Sequence, residues 1–208
     1  ALTGSSGSIG SLLIKDLKKA GHKILSISSS KSIQHQNIFN YEEVILGKTD
    51  IKADLILHLA SANSSLDEFE IDEEVNIAKK VLQSMDALNC KKIIFFSSIK
   101  VYGENSPANN LLTEESCLEP KSSYGKAKMK CEDFFIKRAS VENFRYIILR
   151  LPPLLIDNRS SNIGKFFYFI KRGLPIPSFL KGNTNKKSFL TYENLLNSLE
   201  LILNDKEK

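Results

Sequence analysis

Apolar residues run along this chain in two alternating rhythms, short continuous blocks and longer stretches with steps of three and four. Ile9 to Ala20 carries the second rhythm and predicts a helix. His22 to Ser28 (His-Lys-Ile-Leu-Ser-Ile-Ser) reads as the next strand, and Tyr41 to Gly47 as a third, edge strand. Asp54 to Ala60 and Lys92 to Ser97 are apolar blocks of the kind buried on both faces of a parallel sheet. Between them Glu68 to Asn89 places Val75, Ala78, Val81, Leu82, Met85 and Leu88 on one stripe, a helix facing that sheet. A further helix runs from Tyr124 to about Ala139, with a serine of Pro120-Lys121-Ser122-Ser123 to cap it. Phe144 to Leu149 predicts a sixth strand; Asn162 to Arg172 and Tyr192 to Leu203 predict late helices. Strand and helix in alternation mean an α/β fold with a parallel sheet. The expected division is 1–150 and a small lobe over 151–208.

The chain opens at Ala1-Leu2 directly on Thr3-Gly4-Ser5-Ser6-Gly7-Ser8-Ile9-Gly10. Glycines at 4, 7 and 10 form a Gly-x-x-Gly-x-x-Gly turn leading into the first helix. Such a turn lets backbone come close to a pyrophosphate, and the helix behind it supplies amide donors and partial positive charge. With the following strand it fits a βαβ nucleotide-binding unit, so Gly4, Ser6, Gly7, Ser8, Ile9 and Gly10 are candidate cofactor contacts. Leu59, Ala60 and Ser61 join them, because they leave a strand at the carboxyl edge where open α/β sheets bind ligands. The expectation is a Rossmann-type doubly wound sheet. Almost no first strand precedes the turn, so the natural protein is expected to begin several residues earlier.

Chemistry enters in the middle. Tyr124 and Lys128 form a Tyr-x-x-x-Lys pair on one helix face. A phenol is a poor acid or base at neutral pH, and an ammonium one turn away favours its phenolate. Ser98, at the end of a strand, can hydrogen-bond the same substrate oxygen. Together they suit moving a hydride and a proton at a carbinol or ketone. Taken alone, Tyr-x-x-x-Lys also occurs by chance in many helices.

The glycine turn, Asp54 to Ala60, Asn76, Ser98 with Val101-Tyr102-Gly103, and Tyr124 with Lys128 stand in this order over nearly the whole chain. Together they resemble the extended short-chain dehydrogenase/reductase superfamily, in its NAD-dependent epimerase/dehydratase group. Residues 97–104 and Arg172-Gly173-Leu174-Pro175-Ile176-Pro177 are most similar to a branch with UDP-glucose 4-epimerase-like proteins and 4-keto-6-deoxy-N-acetylhexosamine 4-reductases of surface-polysaccharide synthesis. The resemblance implies NADP or NAD as cofactor, held also by Asn76 as a buried organiser, a plain surface asparagine being the alternative, by Tyr124 and Lys128, and by Leu151. It implies a UDP-sugar as substrate, met by Ser98, Ile99, Lys100, Pro153 and Lys187, and a homodimer through the two long helices. It also implies either a chain that continues past residue 208 or an unusually short member. Where NAD-selective members carry an acid after the second strand, this chain has Ser28, Ser29, Ser30 and Lys31, which tilts the choice towards NADP. A serine-rich loop without preference is the alternative. The dehydratases of the group carry Asp-Glu after the active-site hydroxyl, and Ile99 and Lys100 stand there, so dehydration is not expected. Many relatives have Asn where Pro153 stands, and that departure weakens one expected substrate contact.

Charge and cysteines narrow the rest. The formal net charge of +5 comes from scattered lysines and arginines, a solvated surface rather than a nucleic-acid stripe. Three cysteines without a Cys-x-x-Cys pair argue against a disulfide scaffold and a zinc site and point to a reducing, cytoplasmic compartment. No metal is expected. His58 reads as a packed core residue, and Phe166, Phe167 and Phe169 as core rather than a uracil platform. No apolar run of membrane-spanning length is present. Three readings stay open: a C4 epimerase or ketoreductase of a UDP-sugar, an NADP-dependent reductase of a non-nucleotide carbonyl, and a non-catalytic dinucleotide-binding scaffold.

Overall fold

The structure is a computed structural model that describes residues 1–29, 38–61, 68–103, 111–156, 168, 171–173 and 188–205. Six strands form one sheet: β1 (Leu2–Thr3), β2 (Ser26–Ser28), β3 (Ile38–Asn40), β4 (Ile56–His58), β5 (Lys92–Ser98) and β6 (Arg145–Leu151). Their order is β3-β2-β1-β4-β5-β6. β1 pairs in parallel with both β2 and β4, Leu2 opposite Ser26 on one side and Leu57 on the other. The strand order therefore reverses beside β1, which is the topological switch of a doubly wound Rossmann sheet. Although only two residues long, β1 is central, and Leu2 and Thr3 are wholly buried.

Helices α1 (Ser8–Lys19), α2 (Tyr41–Ile45), α3 (Glu68–Ala87) and α4 (Ser123–Glu142) complete this part of the chain. The expected edge strand over 41–47 is instead α2, and the edge strand lies just before it at Ile38–Asn40. Asn40 decides this: its side chain accepts from the Glu43 amide at 2.7 Å while Glu43 accepts in return from the Asn40 amide at 2.9 Å. That reciprocal cap satisfies two amide donors and starts a helix where the apolar pattern alone suited a strand. The strand predicted over 22–28 is shortened to its last three residues. α3 follows its predicted stripe, α4 covers the helix predicted from Tyr124, and Ser122 caps α4 by accepting from the Gly125 amide at 3.2 Å.

The core lies between the sheet and these helices. Ala78, Val81, Leu82 and Met85 of α3, with Leu88 just past its end, meet Ile93 and Phe95 of β5 and Cys131 and Phe135 of α4. Each large apolar side chain buried this way contributes about 1.5–3 kcal/mol. The rings of Phe95 and Phe135 lie 5.1 Å apart, and His58 packs 5.3 Å from Phe95, so β4, β5 and α4 are fastened at one point.

The chain divides into two compact units, 1–105 with 113–150, and 106–112 with 151–208. In the second, β7 (Leu154–Leu155) pairs in parallel with β8 (Leu190–Thr191), which leads into α5 (Tyr192–Asn204). Thr191 caps α5 by accepting from the Asn194 amide at 3.2 Å, and Leu195 and Leu199 are its buried residues. The expected helix over 162–172 and the phenylalanines at 166, 167 and 169 lie outside the described residues.

Candidate active site

The glycine turn closes on itself between β1 and α1. Gly4 adopts φ +75°, and a Cβ there would stand 2.7 Å from the Ala60 backbone nitrogen. A Cβ on Gly10 would collide with the Gly4 carbonyl oxygen. These two positions accept only glycine, for conformation at one and space at both. The Gly7 amide donates to the Gly4 carbonyl at 3.1 Å, which folds the turn back over the start of α1. No side chain caps α1, and its first turn holds no acid. Its amide donors and partial positive end suit an anion. Ser6, Gly7 and Ser8 are exposed along this turn, Ile9 is half-buried and Gly10 buried.

The opposite wall is the carboxyl end of β4. Thr3 Oγ1 lies 2.8 Å from His58 Nδ1 and accepts from the Ala60 amide at 3.2 Å, fixing the turn against Leu59 and Ala60. Both of these residues are half-buried. Ser61 Oγ is a buried oxygen without a hydrogen-bond partner among the described residues. A glycine cradle, an uncapped helix start and an unsatisfied hydroxyl at the switch point fit a dinucleotide. Ser28, which ends β2, is half-buried and Ser29 after it exposed; Ser30 and Lys31 lie outside the described residues, as does Lys187.

The candidate proton-handling residues come from α4 and from the end of β5. Ser98 ends β5 and caps a 3₁₀ turn over Ile99–Tyr102, accepting from the Lys100 amide at 3.3 Å. α4 packs directly on that turn, because Gly125 has no side chain: a Cβ would stand 2.7 Å from the Lys100 carbonyl oxygen. Lys100 Nζ then lies 5.6 Å from the Tyr124 ring centre, and Lys128 Nζ 5.7 Å from it. The segment that starts at Ser98 is thus held against Tyr124 and Lys128. Lys128 Nζ donates to Glu74 Oε1 of α3 at 2.9 Å, and both side chains are 2% exposed. Burial opposes the Lys128 charge, but the Glu74 carboxylate and, behind it, Tyr124 push its pKa above the ordinary value. Lys128 also helps keep His58 neutral: burial first, then the lysine charge, push the histidine down to about 3. As expected, His58 is a core residue.

Asn76 is corrected. It is exposed, and its amide oxygen accepts from Lys79 at 3.4 Å, so it is not a buried organiser. Glu74 takes the buried place, two residues earlier. Its signal was in the sequence: an acid on the buried stripe between Ile71 and Ala78. Arg150 and Glu132 were also missed as a pair. Arg150 reaches Glu132 from Nε and Nη2, the latter at 2.8 Å, and donates from Nη1 to the Tyr102 hydroxyl at 2.7 Å. Ser97 Oγ donates to the same carboxylate. Glu132 follows Tyr124 and Lys128 at steps of four, which extends their helix face into the core. Leu151 ends β6 half-buried; in the second unit Pro153 is exposed, its carbonyl accepting from the Leu190 amide at 3.1 Å.

A family described as NAD dependent epimerase/dehydratase matches residues 1–189. The chain is 26% identical to a UDP-glucose 4-epimerase of Vibrio cholerae over 208 residues, 94% of this chain and 63% of that protein. It also resembles the structure of a UDP-N-acetylglucosamine 4-epimerase from Methanobrevibacter ruminantium M1 in complex with UDP-N-acetylmuramic acid. There the identity is 25% and the TM-score 0.76, covering 99% of this chain and 72% of the other. A UDP-glucose 4-epimerase of Thermus thermophilus, in complex with NAD, has TM-score 0.78 at 17% identity, over 98% and 74% of the two chains. This last likeness concerns the fold alone. The chain spans less than two thirds of the length of the Vibrio protein.

Proposed function

The chain belongs to the NAD dependent epimerase/dehydratase family, and on that premise we propose that it carries the cofactor and proton-transfer sites of an enzyme acting at C4 of a UDP-sugar. A nicotinamide dinucleotide is the family's cofactor, and when bound it supplies the hydride chemistry. The turn from Gly4 to Gly10, with Leu59, Ala60 and Ser61 opposite, holds it. Tyr124 gives or takes the proton of the sugar C4 oxygen. Lys128 stabilises the charge that develops on Tyr124, and Ser98 anchors the same oxygen. The observation that carries this reading is the Gly125 contact, which sets the 3₁₀ turn of Ser98 to Tyr102 against the helix bearing Tyr124 and Lys128.

Water elimination is disfavoured, because the dehydratases that the chain resembles carry Asp-Glu after the hydroxyl residue and Ile99 and Lys100 stand there instead. Epimerisation and ketoreduction remain, and a 4-ketoreductase of surface-polysaccharide synthesis is the second reading. It is favoured by Ser28 to Lys31, whose hydroxyls and ammonium suit a 2′-phosphate. A homodimer through α3 and α4 belongs to the same proposal.

The test is to denature the purified full-length protein and identify the nucleotide released per chain. Near-stoichiometric NAD supports an epimerase that recycles its cofactor. An empty protein that binds NADPH reversibly supports the ketoreductase. If it binds neither nucleotide, the proposal is wrong.

A further inference from the structure

The Ser98 hydroxyl accepts from the Lys100 amide at 3.3 Å, which leaves its own proton to donate elsewhere. The segment that carries it is tied down on either side. Immediately before it, Ser97 is buried and donates to the Glu132 carboxylate. Beyond it, at the end of the 3₁₀ turn, the Tyr102 hydroxyl accepts from Arg150 Nη1 at 2.7 Å. Arg150 joins the two ties, reaching Glu132 Oε2 from Nη2 at 2.8 Å and from Nε at 3.1 Å. Glu132 is wholly buried and lies on α4, about two turns beyond Tyr124. Both ties therefore end on one side chain of the helix that bears Tyr124 and Lys128.

We propose that Arg150, through Tyr102 and Glu132, is a positioning residue for Ser98: it holds the chain before and after the serine to α4, and so fixes that hydroxyl relative to Tyr124. The inference rests on Ser98 and Tyr124 meeting the same substrate oxygen, as proposed above. A guanidinium fork on a buried carboxylate suits the role, because its parallel bonds are short and directional. Nη1 also donates to the Glu114 carbonyl at 3.1 Å, so a third segment steadies the guanidinium plane. Steric contact between Gly125 and the Lys100 carbonyl sets how closely the turn approaches α4. The Arg150 bonds set how far it can move away.

Tyr102→Phe is the deciding variant, since it removes one hydroxyl and keeps the ring that lies 5.0 Å from the guanidinium carbon. Amide hydrogen exchange of the full-length protein reads the turn without a substrate. The Gly103 amide, which donates to the Lys100 carbonyl at 3.1 Å, should exchange about fivefold faster than in the parent. The Lys126 amide of α4, which donates to the Ser122 carbonyl, should keep its rate. An unchanged Gly103 rate, or equal acceleration at both amides, overturns the proposal. Turnover, followed with UDP-glucose and with UDP-N-acetylglucosamine, tests the consequence. Tyr102→Phe should lower kcat about tenfold while KM stays within about twofold. With Ser98→Ala already present it should cost less than about twofold more. Equal losses in both backgrounds would mean that Tyr102 does not act through Ser98, and overturn the proposal. Arg150→Lys keeps a charge for Glu132 without the fork, and stands in should Tyr102→Phe fail to fold. It should repeat both results, and parent-like exchange and turnover in it overturn the proposal. Failure of the underlying reading looks different: Ser98→Ala would keep full turnover while Gly103 still exchanged faster in Tyr102→Phe.

Discussion

Arg150 grips Glu132 through both Nε and Nη2, at 3.1 Å and 2.8 Å from Oε2, from a strand eighteen residues further along the chain. The carboxylate is almost wholly buried and receives Ser97 as well, while the remaining arm of the guanidinium holds the Tyr102 hydroxyl and the Glu114 carbonyl. One planar cation thus ties β6, α4, the end of β5 and the 3₁₀ turn that begins after Ser98.

Arg150→Met should cost about 3 kcal/mol, because it leaves the Glu132 charge buried without its partner. For a chain of this length that is a fall in melting temperature on the order of 6–12 °C. A drop under about 2 °C in a thermal unfolding scan would show that the pair does not hold these elements together.

Glycine substitutions should separate folding from binding. Gly10→Ala forces a methyl into the Gly4 carbonyl and should destabilise by about 1–3 kcal/mol. At Gly7 the same methyl would meet that oxygen at 3.3 Å, a contact small shifts relieve. Gly7→Ala should therefore keep its melting temperature while losing dinucleotide affinity, measured by fluorescence titration. Equal loss of stability in both variants would count against the turn as a binding element.

Acid should weaken the protein through His58. Its folded pKa of about 3 lies below the ordinary 6.5, so the unfolded chain binds the proton more readily. Stability from this group is complete above pH 6.5 and is lost between 6.5 and 3, by up to about 1.4 kcal/mol per pH unit. Urea midpoints at pH 7, 6 and 5 should fall more steeply in the parent than in His58→Gln; parallel slopes would contradict the buried neutral histidine.

For Tyr124→Phe we expect a fall in turnover of about 10²- to 10⁴-fold with cofactor affinity retained. Steady-state kinetics beside equilibrium dinucleotide binding check this, and unchanged turnover would remove Tyr124 from the chemistry.

Cofactor choice is tested by changing Ser30→Ala and Lys31→Ala together. Affinity for NADPH should weaken more than that for NADH, because a 2′-phosphate loses its hydroxyl and ammonium partners. Equal weakening of both would leave no preference encoded in that loop.

Much of the architecture was legible because it is periodic. The stripe of α3, the apolar blocks of β4 and β5 and the serine that caps α4 are local patterns, and each fixes its own element. α2 shows where pattern fails: apolar spacing over 41–47 suited a strand, and one cap from Asn40 overrode it.

Sequence by itself determined α1, α3, α4, β4 and β5, the glycine turn and the Tyr-x-x-x-Lys face, since all of these depend on residues near each other in the chain. Only the tertiary structure decided which acid meets Lys128, that Asn76 faces solvent, and that Arg150 answers Glu132. Glu74 and Lys128 are 54 residues apart, and no local pattern carries their pairing. It arises because packing α3 against α4 removes both side chains from water, and a charge so buried must find its partner there.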